Sequence, residues 1–75
     1  MVRLSLSTGK ADGIRVNHVV GTLAHFADIP GHSLGKIRIQ EQNTFVDVPE
    51  QYVRQVLAKT GSYRIGKQAI TVERA

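Results

Sequence analysis

Along this chain the spacing between apolar residues switches repeatedly between two and three-to-four, which limits its fold more than any single motif. Val2 to Ser7 reads VRLSLS, apolar and polar in alternation, and Lys36 to Gln40 (KIRIQ) repeats the pattern. In TFVDV (44–48) Val46 and Val48 oppose Phe45 and Asp47, and in QAITVER (68–74) Ile70 and Val72 share a side. Alternation of this kind marks a strand with one buried face, because successive side chains of an extended chain point in opposite directions. Between these stretches lies the helical period. From Val16 the apolar residues fall at 16, 19, 20, 23, 24 and 27, with Phe26 widening the stripe, until Ile29-Pro30-Gly31 ends it. PEQYVRQVLAKT (49–60) opens on Pro and Glu, which suit a first helical turn, and turns Val53, Val56 and Leu57 inward before Gly61. The predicted order is β-α-β-β-α-β without repeat or linker, one domain over residues 1–75.

Two helices can cover only one face of a four-stranded antiparallel sheet, so the expected class is α+β. The arrangement is the split βαβ, RRM-like or ferredoxin-like. Right-handed crossovers place the first and third strands side by side in the centre. Leu4, Leu6, Ile37, Ile39, Val46, Val48, Ile70 and Val72 then belong under the helices. The open face receives Arg3, Ser5, Ser7, Lys36, Arg38, Gln40, Phe45, Asp47, Thr71 and Glu73.

That open face is polar and basic, with one ring near its middle. The chain has only two Phe and two Tyr, and no Cys, so no disulfide or thiolate metal site is possible. Its 10 Lys and Arg against 6 acids leave a net charge of +4, which favours a polyanionic partner. No apolar run approaches the roughly 18 residues of a membrane span, and Met1 is not followed by a signal-peptide pattern. A cytoplasmic protein is expected. Two readings of Phe45 are open: a platform on which an unpaired base stacks, or a surface covered by the terminus or a dimer partner.

Lys10 and Arg15 bracket the loop STGKADG (7–13) and the start of the first helix, where backbone amides and two cations suit a phosphate oxygen. The alternative is a solvated turn carrying two ordinary charges. Arg64, Lys67 and Arg74 add charge around the last strand, but spacing does not say whether they share a surface. GSYRIGK (61–67) imitates a phosphate-binding P-loop, yet Gln68 stands where a Ser or Thr would hold magnesium, and a strand follows instead of a helix. His18 and His25, seven apart, are separated by about 10 Å along a helix and read as surface residues. No paired carboxylates and no Ser-His-Asp set suggest catalysis, so neither enzyme activity, cofactor nor metal is expected.

The RNA-recognition motif has this topology and stacks bases on its central strands. Phe45-Val46-Asp47-Val48 matches three positions of its aromatic-Val-any-aromatic signature and departs at the last. Over essentially all 75 residues the chain resembles the DbpA-type RNA-binding domain that follows the core of some bacterial DEAD-box RNA helicases. The resemblance rests on Gly9-Lys10, Ile14-Arg15, Val20-Gly21, Leu34-Gly35-Lys36-Ile37, Phe45-Val46-Asp47-Val48-Pro49 and Gly66-Lys67. Gly21 within the helix is expected to permit close approach to the sheet. Members similar to DbpA and YxiN, which recognise a hairpin of large-subunit ribosomal RNA, carry a lysine run in the first loop. Thr8-Gly9-Lys10-Ala11-Asp12-Gly13 has one lysine and an acid, and looks closer to CsdA-like members.

The resemblance implies an accessory RNA-binding module of an ATP-dependent helicase whose core lies outside this chain. Its partner would be structured RNA, ribosomal or messenger, with a role such as ribosome assembly and no membrane. On this reading Lys10, Arg15, Lys36, Arg38 and Lys67 contact phosphates, and Phe45 offers the stacking surface. The alternative from another class is a protein-interaction or dimerisation domain that uses the open sheet.

Overall fold

A computed structural model describes all residues from Met1 to Ala75. Strand β1 (Val2–Leu6) leads through a short 3-10 turn (Lys10–Asp12) to helix α1 (Val16–Ala27), and a second 3-10 turn (Gly31–Ser33) precedes strands β2 (Ile37–Ile39) and β3 (Thr44–Val48). Helix α2 (Glu50–Ala58) follows, then a small hairpin of β4 (Arg64–Ile65) and β5 (Gln68–Ala69), and finally β6 (Val72–Arg74). The main sheet runs β2-β3-β1-β6, antiparallel throughout, so β1 and β3 are the central neighbours that the crossover argument requires.

The period-2 reading of the two central strands holds residue by residue. Leu4, Leu6, Val46 and Val48 are fully buried, as are Val19 and Leu23 of α1 and Val56 of α2. Burying each such side chain contributes about 1.5–3 kcal/mol. Ile37 and Ile39, expected in the same layer, are only half-buried because β2 is an edge strand. Val16 departs further, at 50% exposed: it opens the first turn of α1 and overhangs the core.

The stretch expected to form one fourth strand is divided. Gln68 and Ala69 pair with Ile65 and Arg64 across the two-residue turn Gly66-Lys67, where Gly66 takes φ 62°, a value that favours glycine. Strand β6 begins only at Val72, after Ile70 has been buried and Ser7 and Thr71 have exchanged hydrogen bonds at 3.1 and 2.9 Å. A helix-to-sheet span of alternating residues thus serves two different sheets.

Tyr63, unassigned by any periodicity, anchors this hairpin. It is fully buried, its ring meets Phe26 edge-on at 6.0 Å, and its hydroxyl donates to the Val56 carbonyl at 2.7 Å. Burial pushes its phenol up to about 12. Gly21 is a second correction. It lies on the exposed side of α1, and a Cβ there would meet nothing within 4 Å, so close packing on the sheet is not its role.

Candidate nucleic-acid interface

The open sheet face is organised by strand register. Phe45 stands between Ser5 on β1 and Arg38 on β2, while Asp47 stands opposite Arg3. Asp47 also donates its backbone N–H to the Lys36 carbonyl at 2.9 Å, which brings Lys36 to its other side. Serine is too short to cover a ring, so Phe45 remains half-buried on an otherwise polar surface. Arg3, Lys36, Arg38, Phe45 and Asp47 line one shallow depression.

Arg3 is the residue that sequence reasoning left out of the candidate contacts. Its guanidinium carbon lies 6.0 Å from the Phe45 ring centroid, at the edge of cation–π range. Its Nε lies 3.7 Å from Asp47 Oδ1, with side-chain exposures of 58% and 28%. Such an exposed pair contributes about 0–1 kcal/mol, so Arg3 is easily displaced. The ring therefore has a light, movable cover from a neighbouring strand. Alternation placed Arg3 on this face, but only the β1–β3 register sets it beside the ring.

At the end of the sheet where β1 exits, the backbone of the basic loop is tied to the β2–β3 turn while the side chains of Lys10 and Asp12 stay exposed. Lys10 and Ala11 donate their backbone N–H groups to the Gln40 and Glu41 carbonyls of the β2–β3 turn at 2.7 and 2.9 Å. The buried Thr44 hydroxyl donates to the Thr8 carbonyl at 2.8 Å. Gly9 is buried against the same turn, where a Cβ would have no room. Asp12, which on paper only dilutes the positive charge, accepts from the Thr8 hydroxyl at 2.9 Å and the Gly9 N–H at 3.1 Å. The Gly9 bond chiefly, then the Thr8 bond, with a small contribution from the nearby Gln68 side chain, hold its carboxyl below the usual carboxylate range.

The Gln68 side chain lies close enough to Asp12 to contribute to that lowering, so the β4–β5 hairpin approaches this loop. Lys67, exposed in the hairpin turn, is thereby brought to the same end of the molecule as Lys10. Arg15, also exposed, caps α1, and its backbone N–H donates to His18 Nδ1 at 3.0 Å, giving that surface histidine a local structural task. The candidate residues thus form two groups. Lys36, Arg38 and Phe45 share the sheet depression, and Lys10, Arg15 and Lys67 surround the loop end without a ring. Arg74 belongs to neither: it pairs opposite Leu4, towards the other end, and lines a cleft with Glu50 and Arg54 of α2. No helix follows GSYRIGK, so the resemblance to a P-loop ends at its letters.

A ring flanked by cations can hold an unpaired base by its face and the adjoining phosphates by charge. A ringless cationic rim can hold phosphates only. The DbpA RNA binding domain matches residues 3–74. The ATP-dependent RNA helicase DeaD of Haemophilus influenzae is 30% identical over 60 residues, which cover 80% of this chain and 10% of that protein.

Proposed function

The chain belongs to the DbpA RNA binding domain family, and from that premise we propose that it anchors a cytoplasmic, ATP-dependent RNA helicase to structured RNA. The helicase core would lie outside these 75 residues, and the RNA would be ribosomal or messenger. The observation that carries this reading is the half-exposed ring of Phe45 on an uncovered sheet, with Arg3, Lys36 and Arg38 around it.

In this mechanism an unpaired nucleotide displaces Arg3 and stacks on Phe45, while Lys36 and Arg38 neutralise its phosphates. The phosphates of a neighbouring duplex run past Lys10, Arg15 and Lys67, with Lys10 held in position by the backbone bonds of its loop. One stacking ring gives modest affinity, about 1–3 kcal/mol per base. A tethered module can work with that, because a short flexible linker raises the local concentration to about millimolar. Binding keeps substrate near the core; the chemistry of unwinding belongs to that core.

Amide-shift mapping tests the assignment with two probes, a blunt RNA duplex and the same duplex carrying an unpaired extension. The duplex should perturb Lys10, Arg15 and Lys67, and only the extended RNA should also perturb Arg38, Phe45 and Asp47. An unmoved open sheet in both titrations overturns the stacking surface. Self-association through that sheet, read by sedimentation without RNA, would support the dimerisation alternative instead.

A further inference from the structure

Asp47 is the one acid in the sheet depression, and a carboxylate there opposes phosphate binding unless it has a use of its own. Its side chain accepts no hydrogen bond from the protein: the only partner is Arg3 Nε, and 3.7 Å is too long for a direct bond. More than a quarter of the side chain is open to solvent, at 28%. Arg3 and Lys36 on either side offset its charge towards an incoming strand. It also stands two residues from Phe45 on the same face of the same strand.

We infer that Asp47 selects guanine for the nucleotide stacked on Phe45, an inference that rests on the stacking role given to that ring above. The geometry follows from strand dimensions. Two residues span about 6.7 Å, and a hydrogen bond occupies about 2.9 Å of it, leaving about 4 Å from the middle of the ring stack to the pairing edge of a base. An ionised carboxylate is an acceptor only, with two oxygens side by side. Guanine alone presents two adjacent donors on its pairing edge, N1–H and the N2 amino group. Uracil offers N3–H between two carbonyls that the carboxylate repels. Adenine and cytosine each offer one amino group beside a ring nitrogen that is itself an acceptor. Asp47 is thus a specificity-determining residue, and the basic side chains around it bind any sequence.

The test uses fluorescein-labelled octauridylate and variants whose central uridine is replaced by guanosine, inosine, adenosine or cytidine, titrated by polarisation at low salt. A bidentate base contact discriminates by about 5- to 150-fold. The wild type should prefer the guanosine octamer by that factor. Inosine, which keeps N1–H but lacks the amino group, should fall between guanosine and uridine. In Asp47→Asn the preference should collapse, with octauridylate bound at least as tightly as by the wild type. Asp47 lies partly exposed on the open face of the central strand β3, and an unchanged amide spectrum shows that the near-isosteric variant folds. Equal binding of all octamers, each weakened by Phe45→Ala, overturns selection by Asp47 and leaves the stacking site standing. A guanosine preference that survives in Asp47→Asn overturns the inference as well. Octamer binding that ignores Phe45→Ala removes both the inference and the stacking site.

Discussion

Replacing Gly9 with alanine probes whether the basic loop is clamped to the sheet. The new methyl carbon would overlap the Gln40 carbonyl oxygen and lie 2.7 Å from both the Asn43 nitrogen and the Glu41 carbonyl oxygen. All three are backbone atoms of the β2–β3 turn and cannot swing aside. Gly9 itself has an extended backbone at φ −156°, which any residue adopts, so the effect is one of space alone. Relief requires the loop to lift, breaking the bonds from Lys10 to Gln40, from Ala11 to Glu41 and from Thr44 to Thr8. At about 1 kcal/mol each the loss is about 3 kcal/mol. For a domain of this size that lowers Tm by about 12–24 °C. Thermal unfolding followed by circular dichroism reads it directly, and RNA titration at a temperature where the variant is folded should show weakened binding through a displaced Lys10. A Tm within about 3 °C of wild type would refute the clamp, since the clash allows no cheaper escape.

Gly21→Ala should act in the opposite direction: exposed in mid-helix with no neighbour within 4 Å, it should gain about 1 kcal/mol, or about 4–8 °C in Tm, with RNA affinity unchanged. Tyr63→Phe removes a buried hydroxyl, but the Val56 carbonyl keeps the Lys59 N–H at 3.2 Å, so the loss should be about 1 kcal/mol by denaturant titration. Asp12 has a lowered pKa in the folded state, so its stabilisation is present above the unfolded value of about 3.9 and disappears as pH falls through the lower folded value. Wild type should therefore lose more stability than Asp12→Asn when acidified below about pH 4, as measured by urea titration at several pH values. Lys10→Ala should reduce the slope of log K against log salt by about 0.7–0.9 on structured RNA. Phe45→Ala should cost about 1–3 kcal/mol on unpaired RNA and nothing on blunt duplex; equal losses on both would assign the ring a structural role.

Much of the architecture was legible because it follows from local geometry. The alternation in VRLSLS and TFVDV told which side chains go under helices, and Leu4, Leu6, Val46 and Val48 are buried accordingly. The same rule set Lys36, Arg38 and Phe45 together on the open face. It misled at QAITVER, where one alternating run serves two sheets, because alternation says which way a residue points and not which strand it joins. It also misled at Gly21, where a glycine within a helix suggested a tight approach that the fold does not make. Tyr63 went unassigned because it sits in a connection with no period, although it is the largest fully buried side chain.

What the amino-acid order determined by itself was direction: the period of two and the period near 3.6 decide the faces of strands and helices, and each needs only a residue and its near neighbours. Register was decided elsewhere. Arg3 lies across from Asp47, 44 positions away, and the Thr8 carbonyl meets Thr44 across 36. Those meetings depend on hydrogen bonds between strands and on a loop seated against a distant turn. No local rule encodes them, so only the assembled sheet could set a movable arginine over the ring and an unused carboxylate beside it.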